Sequence, residues 1–386
     1  MTDSGHKSPV SNGCATYIYT QMMKFIRRIL SWIYTLVVVT RHRLYDWGVL
    51  KSFSFDIPIV CIGNITVGGT GKTRTAEYIL SSLANHYTMA ILSRGYGRTT
   101  KGYREVSVND IYTDVGDEPL QIKLKFPGTV VVVCEDRVLG IERLRQEHPE
   151  VNLIIMDDGF QHRRVRPKVN ILIMDSTRPF ENDNMLPLGR LRDVPSRLKE
   201  GHIFIVSKCD DAMSPIDKRL WLKKLRHVAY QKVFFSKIEP LGIEPVYNFS
   251  DREEPYYAQQ AILVSGIGNP RPFIREAETR FTIVDKVIFP DHHKFTTDDL
   301  KRIYAKFLEH PRAIILTTEK DAVRLRRARM PENMMRAMYY QPIAMCLVEG
   351  PERDDFVECL IADIEYKERE DKNGGDKEKS IVDELD

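Results

Sequence analysis

Cysteine is scarce in this chain, no apolar run is long enough for a membrane span, and neither sign of charge dominates. The six cysteines among 386 residues, Cys14, Cys61, Cys134, Cys209, Cys346 and Cys359, form no CxxC pair. Thiols this sparse exclude a disulfide framework and a cysteine-based zinc site, and they indicate a reducing compartment. The apolar run at residues 29–39 falls short of the roughly 20 residues a spanning helix needs. Lys plus Arg number 57 against 54 Asp plus Glu, and a net of +3 demands no polyanionic partner. Basic residues are not interleaved with aromatics as in a nucleic-acid interface, so no nucleic-acid partner is expected. No internal repeat is present. With 42% hydrophobic and 29% charged residues, the chain is neither wholly disordered nor a polytopic membrane protein. Its length allows two or three domains, each with its own core.

The small net charge is unevenly spread. Residues 1–21 are polar without periodicity and are expected as a disordered lead, with Met22 and Met23 as an alternative start. Residues 22–56 carry a basic helix with Trp32, Tyr34 and Trp47. Between residues 22 and 51 there are six Lys/Arg and one Asp. A basic, aromatic, moderately apolar helix suits an interfacial membrane anchor. The bland alternative is a helix packed on the protein's own core.

From residue 57 the texture is α/β. Continuous apolar runs at 57–63, 129–134, 151–158, 170–175 and 202–208 alternate with helical stretches. This pattern predicts a parallel sheet covered by helices on both faces. We expect a P-loop NTPase-like domain at 57–227, a linker at 228–257 and a second, smaller α/β domain at 258–350. Residues 351–386 read as a charged tail, since the last 20 residues hold 13 charges.

The strongest local signal is CIGNITVGGTGKT, an apolar strand leading through glycines into a helix. Thr66, Val67, Gly68, Gly69, Thr70, Gly71, Lys72 and Thr73 would wrap a nucleotide's phosphates with backbone N–H groups at a helix N-terminus. Lys72 would reach the β- and γ-phosphates, and the Thr73 hydroxyl would hold Mg²⁺. The usual pattern GxxxxGK[ST] places glycine where this chain has Thr66. Asp157 and Asp158 end another buried run. Strand-end aspartates are often turn residues, but behind a phosphate loop in one sheet they become Mg²⁺ ligands. Either could be the one that touches the metal.

These features specify a nucleotide-dependent enzyme or switch without choosing a substrate. The further motifs SRGYG (93–97), GDEP (116–119), DDGFQHRRV (157–165), MLPLGRLRDVPSRL (185–198) and FPDHHKF (289–295) occur in that order. Together with the basic helix and the phosphate loop, the chain resembles the tetraacyldisaccharide 4'-kinase (lipid A 4'-kinase) family of Gram-negative bacteria over roughly residues 22–350. It departs at Thr66, which the family tolerates, and at Arg74, where proline often follows the Lys-Thr pair. The resemblance implies transfer of the ATP γ-phosphate to the 4'-hydroxyl of a tetraacyl glucosamine disaccharide 1-phosphate. It also implies Mg²⁺, a seat at the cytoplasmic face of the inner membrane, and two α/β/α domains joined by a two-stranded linker. Asp117 would be the catalytic base, His292 its partner across the cleft, and Glu118 a metal-associated carboxylate. Arg190 and Arg192 would meet the phosphorylated lipid through their guanidinium donors.

A P-loop GTPase or ATPase switch at a membrane is the rival reading. SKCD (207–210) is a reduced form of a guanine-reading NKxD, and TTEKDAVRL (317–325) carries a Lys-Asp pair. A switch, however, leaves GDEP and DHH without a role. A non-catalytic nucleotide-binding scaffold is a third reading.

Overall fold

The computed structural model describes residues 11–210, 213–249, 258–348 and 352–366. Two sheets organise the chain. The strands are β1 (Ile59–Gly63), β2 (Met89–Ser93), β3 (Arg104–Glu105), β4 (Val130–Val133), β5 (Leu153–Asp157), β6 (Val169–Asp175), β7 (Ile203–Ser207) and β8 (Lys232–Pro240). They continue with β9 (Glu244–Pro245), β10 (Gln260–Ser265), β11 (Thr282–Ile288), β12 (Ile314–Thr318), β13 (Met338–Gln341) and β14 (Ile343–Leu347). The large sheet runs β14-β8-β7-β6-β1-β5-β2-β4-β3, and the small one β11-β10-β12-β13-β9. Both are parallel apart from β3, β14 and β9, which pair antiparallel.

The central strands are apolar throughout because both faces are covered. Ile59 and Cys61 of β1 point into one hydrophobic cluster, while Val60 and Ile62 point into the other. This period-2 division is what a doubly covered parallel sheet requires. β1 has β5 on one side and β6 on the other, so the chain changes direction across the sheet there. Crevices for ligands form beyond the strand C-termini at such a point. The register places Ile62 beside Asp157, which brings the Asp157–Asp158 pair to the mouth of the phosphate loop.

Several expected boundaries are corrected. The N-terminal helix spans Ser11–Asp46, so it begins inside the segment expected as a disordered lead. No proline interrupts residues 11–22, and an established helix extends at one hydrogen bond per added residue. Residues 1–10 lie outside the described residues. Residues 232–240, which read as a strand within the connecting segment, do form a strand, β8, but it belongs to the large sheet, where Phe234 and Phe235 are buried. β14, expected in the second domain, returns to pair with β8. The two chain passages between the sheets are therefore a hydrogen-bonded strand pair. Residues 250–257 lie outside the described residues.

The segment expected as a charged tail contains a core helix, Glu352–Glu365. Phe356, Leu360 and Ile364 recur every four residues and are buried on the large sheet, Phe356 edge-on to Phe234. Glu358 between them is exposed and Asp363 is partly buried, so average composition concealed an apolar stripe. Residues 367–386 lie outside the described residues.

The N-terminal helix docks one face on the large-sheet body. Ser31 donates to the Met185 carbonyl at 2.7 Å and Tyr34 to the Arg192 carbonyl at 3.0 Å. His42 Nε2 meets buried Asp193 Oδ1 at 2.7 Å. Arg163 of the DDGFQHRRV motif fastens the helix end through Asp46 at 2.7 Å. The outer face carries Phe25, Ile29, Trp32, Ile33, Leu36 and Val37, all exposed. No helix among the described residues is long and apolar enough to cross a membrane.

Candidate active site

The phosphate loop turns out of β1 into the helix Lys72–Leu83. Gly71 caps that helix at φ +98°, a left-handed conformation that favours glycine. Thr70 is buried. Its hydroxyl accepts from Asn64 at 2.9 Å, and its carbonyl accepts from Ser207 at 2.7 Å. Val67, Gly68 and Gly69 are exposed. Thr66, where glycine is usual, bridges Leu191, and Val67 N–H donates to the Arg190 carbonyl at 2.8 Å. Thr66 is not among the residues with positive φ, so this loop has no need of glycine there.

The two aspartates at the end of β5 are in different states. Asp158 is claimed by cations: Arg192 donates to Oδ2 at 3.0 Å and also to Oδ1, and Lys72 Nζ lies 3.8 Å away. Against the cost of burial, Lys72 and Arg192 hold its carboxyl below the ordinary range. Asp157 is buried, and its Oδ1 has no hydrogen-bond partner. Burial first, then Glu118 and Asp158, push its carboxyl up to about 7. An orphaned carboxylate oxygen near a second carboxylate at a phosphate loop fits a divalent cation. The residues able to hold one are Asp157, Thr73 and Glu118. A different cluster, Asp285–Glu309–His310, has ligand spacing, but Lys306 occupies it at 3.1 Å from Asp285 and 3.2 Å from Glu309.

Asp117 opens the helix Asp117–Lys125 directly after Gly116. Gly116 has φ +94°, and a Cβ there would lie 3.2 Å from Gly95 backbone atoms. Close passage of the SRGYG loop thus accounts for the glycine of GDEP. Asp117 faces the small sheet. His292 Nδ1 lies 3.6 Å from its Oδ2, Lys320 Nζ also 3.6 Å, and Arg324 donates to that oxygen at 2.5 Å. Although burial acts the other way, His292, Lys320 and Arg324 hold the Asp117 carboxyl well below the usual carboxylate range. His292 sits at φ +56° with Tyr96 edge-on at 6.0 Å. His293, its neighbour, stacks on Phe289 at 4.4 Å and pairs with Asp299 at 2.9 Å, so it serves the small sheet's core.

Of the residues expected from sequence, Lys72 lies 3.8 Å from Asp158, Asp157 feels the charges of Asp158 and Glu118, and Asp117 lies 3.6 Å from His292 of the other sheet; Thr73 follows Lys72 on the same helix. Arg190 and Arg192 lie on the loop bracing Val67 and Asp158, and both have partners in the free protein. Arg190 pairs with Asp183 at 2.8 Å and keeps a partly exposed side chain. Arg192 also donates to Asn64. Missed were Asn64, Ser207, Lys320 and Arg324. Lys320 and Arg324 stand four apart on the helix Glu319–Leu325, which follows buried β12, and that spacing was the available signal. In the same segment Asp321 accepts from Gly266 N–H at 2.8 Å and from Arg324 at 3.0 Å, so it ties the loop after β10 in place. In SKCD, Lys208 pairs with Asp175 at 2.6 Å and Ser207 braces the phosphate loop.

A glycine-capped phosphate loop at the switch point of a parallel sheet, with carboxylates at the next strand end, defines a P-loop nucleotide-dependent protein. The model of the family described as "Tetraacyldisaccharide-1-P 4'-kinase" matches residues 23–363, and the chain belongs to that family. It is 40% identical over 347 residues to the tetraacyldisaccharide 4'-kinase of Porphyromonas gingivalis, covering 88% of this chain and 96% of that one. The tetraacyldisaccharide 4'-kinase of Bacteroides thetaiotaomicron is 36% identical over 354 residues, covering 88% and 93%. Among solved structures, an "apo" form of LpxK from Aquifex aeolicus in complex with ATP shares the fold. Its TM-score is 0.67 at 24% identity, covering 89% of this chain and 99% of that one.

Proposed function

We propose that this chain transfers the γ-phosphoryl group of ATP to the 4'-hydroxyl of a tetraacylated glucosamine disaccharide 1-phosphate, the kinase step its family performs in lipid A assembly. The observation that carries the site assignment is Asp117. It is a buried, ionised carboxylate at the head of a helix on the large-sheet body, facing the small sheet, with His292 of that sheet 3.6 Å away.

The sugar oxygen forms a bond to the γ-phosphorus as the bond from that phosphorus to the bridging oxygen of ADP breaks. The hydroxyl proton passes to Asp117. A carboxylate with a low pKa suffices if the transition state is loose, because the proton then moves late. His292 positions that carboxylate and spans the two sheets, so base and phosphate loop come into register when the sheets close on substrate. Lys72 and the loop N–H groups offset phosphate charge. Thr73, Asp157 and Glu118 would hold Mg²⁺, which when bound neutralises charge on the β- and γ-phosphates. Asp158 keeps Lys72 and Arg192 in place. Arg190, with its open edge, would take the lipid's phosphate, and Arg192 the sugar side.

The exposed apolar face of the N-terminal helix, with Arg27 and Arg28 on the same stretch, supports seating at an anionic membrane surface, which we read as the cytoplasmic face of the inner membrane. A tetraacyl substrate leaves a bilayer at great cost, about 0.8 kcal/mol per CH₂, so an enzyme for its head group works best where the lipid already lies. Incubation with γ-labelled ATP, Mg²⁺ and a tetraacyl disaccharide 1-phosphate in detergent tests the reading. Labelled lipid is expected, and label only in inorganic phosphate would replace it with an ATPase.

A further inference from the structure

We infer that Lys320, on the small sheet, is a catalytic residue: it supplies positive charge to the phosphoryl group in flight. The inference rests on the phosphotransferase reading above and adds a residue to it.

Lys320 Nζ lies 3.6 Å from Asp117 Oδ2 and 3.4 Å from Glu118 Oε1. It thus bridges the proposed base and a proposed metal carboxylate. The transferred phosphorus must pass between those two places, since the attacking hydroxyl lies at the base and the nucleotide at the metal. A cation in contact with both is within reach of the non-bridging oxygens on which charge is spread in a loose transition state.

Its helical neighbour makes the contrast. Arg324 has only 2% of its side chain exposed and is fixed by four protein partners, the Gly266 carbonyl, Asp321, Asp117 and His292 Nδ1. That arrangement is structural. Lys320 has 23% of its side chain exposed. Its recorded partners among the described residues are the two site carboxylates, both at long ion-pair distances. A flexible ammonium ion held loosely by two anions can turn to a third when the nucleotide arrives.

The placement of Lys320 is built in. Thr318 caps the helix through Asp321, and Arg74 of the phosphate-loop helix bridges to Glu319 at 2.9 Å. The helix bearing Lys320 is thereby fastened to the element that follows the phosphate loop. The second sheet thus holds the cation beside the phosphate-loop helix and the proposed base.

The test is steady-state kinetics of Lys320→Ala, Lys320→Met and Lys320→Arg across pH, with labelled lipid as readout. Lys320→Ala should lower the pH-independent plateau of kcat by about 10²- to 10³-fold, in line with the loss of one preorganised charge. KM for ATP should stay within about threefold, and Lys320→Arg should recover at least about tenfold of the loss. Lys320→Met keeps the apolar stem and stands in if Lys320→Ala does not fold. A purely structural lysine would instead raise KM or move only the acidic limb of the pH profile. Either result, or a plateau kept within about threefold while the unsubstituted chain phosphorylates lipid, overturns this inference alone. Absence of lipid phosphorylation by the unsubstituted chain overturns the phosphotransferase reading and this inference with it.

Discussion

Arg324 and Asp117 meet across the two sheets, with the guanidinium donating to Asp117 Oδ2 at 2.5 Å and both side chains nearly buried. Their sequence separation is 207 residues. A carboxylate buried without a partner would carry a large desolvation cost and would protonate instead. Arg324 keeps Asp117 ionised, and the pair also pins the small sheet to the large one. The same contact therefore serves both the charge state of the proposed base and the relation between the sheets.

Removing that guanidinium should affect both. Asp117's folded carboxyl is held below its ordinary value of 3.8, so its pairing contributes stability that is fully present above that value. The contribution is lost as pH falls through the lower folded value. Arg324→Gln should raise the folded value, moving the acidic limb of kcat/KM toward neutral pH. It should cost roughly 3–5 kcal/mol, the usual penalty for breaking a buried pair. Urea unfolding at pH 7 and a pH–rate profile read the two effects. An unmoved acidic limb would show that the base does not depend on Arg324.

Substitution of the proposed chemical groups should separate activity from folding. Asp117→Asn keeps an acceptor for Arg324 and should lower kcat by about 10²- to 10⁴-fold. Lys72→Ala should remove most turnover, while His292→Ala, which repositions the base without removing it, should do so less completely. Thermal unfolding should change little in Lys72→Ala and His292→Ala, since Lys72 Nζ makes only a 3.8 Å ion pair and the His292 side chain is 45% exposed. Near-normal kcat in folded Asp117→Asn protein would remove the base assignment.

How much of this was legible in the sequence follows from how local each feature is. The phosphate loop is contiguous, so strand, glycines and helix announced it, and the absent glycine at Thr66 cost nothing because that residue takes no left-handed backbone. Asp157 and Asp158 were legible as a pair because they end a buried strand. Their division of labour was not, since it is set by Arg192, a loop residue 34 positions away from Asp158. Lys320 and Arg324 were visible as basic residues but not as neighbours of Asp117, because the packing of two sheets decides that contact. β8 and the helix Glu352–Glu365 were misplaced for another reason. The strand at 232–240 was legible as a strand, but its pairing with β7 and β14 is a long-range contact, and an apolar stripe within charged sequence dilutes the pattern that composition reports.

The anchor reading makes a separable prediction. Phe25 and Trp32 are 64% and 69% exposed and lie off the face that docks through Ser31, Tyr34 and His42. Replacing both with serine should leave thermal stability within about 0.5 kcal/mol, as for surface positions generally. Association with vesicles containing anionic phospholipid should fall by roughly tenfold or more, since each aromatic side chain buries substantial apolar area. Sedimentation with vesicles reads the binding directly. Equal binding by the double variant would assign the exposed face to something other than lipid.

Asp157 supplies the last test, because its state without metal is unfavourable. Its folded carboxyl is pushed up to about 7, above the ordinary 3.8, chiefly by burial. Between those values the unfolded chain has released a proton that the folded chain retains. Stability therefore declines as pH rises through that window and levels off above about 7. A cation on the orphaned Oδ1 would reverse the penalty. In metal-free protein, Asp157→Asn should accordingly be at least as stable as the unsubstituted chain at pH 8 and should lose the decline between pH 5 and 8. Added Mg²⁺ should raise the Tm of the unsubstituted chain more at pH 8 than at pH 5 and should raise that of Asp157→Asn far less. Asp158→Asn should keep the Mg²⁺-dependent rise, because Asp158 is already committed to Arg192 and Lys72. The reverse pattern, with the rise lost in Asp158→Asn and kept in Asp157→Asn, would transfer the metal to Asp158.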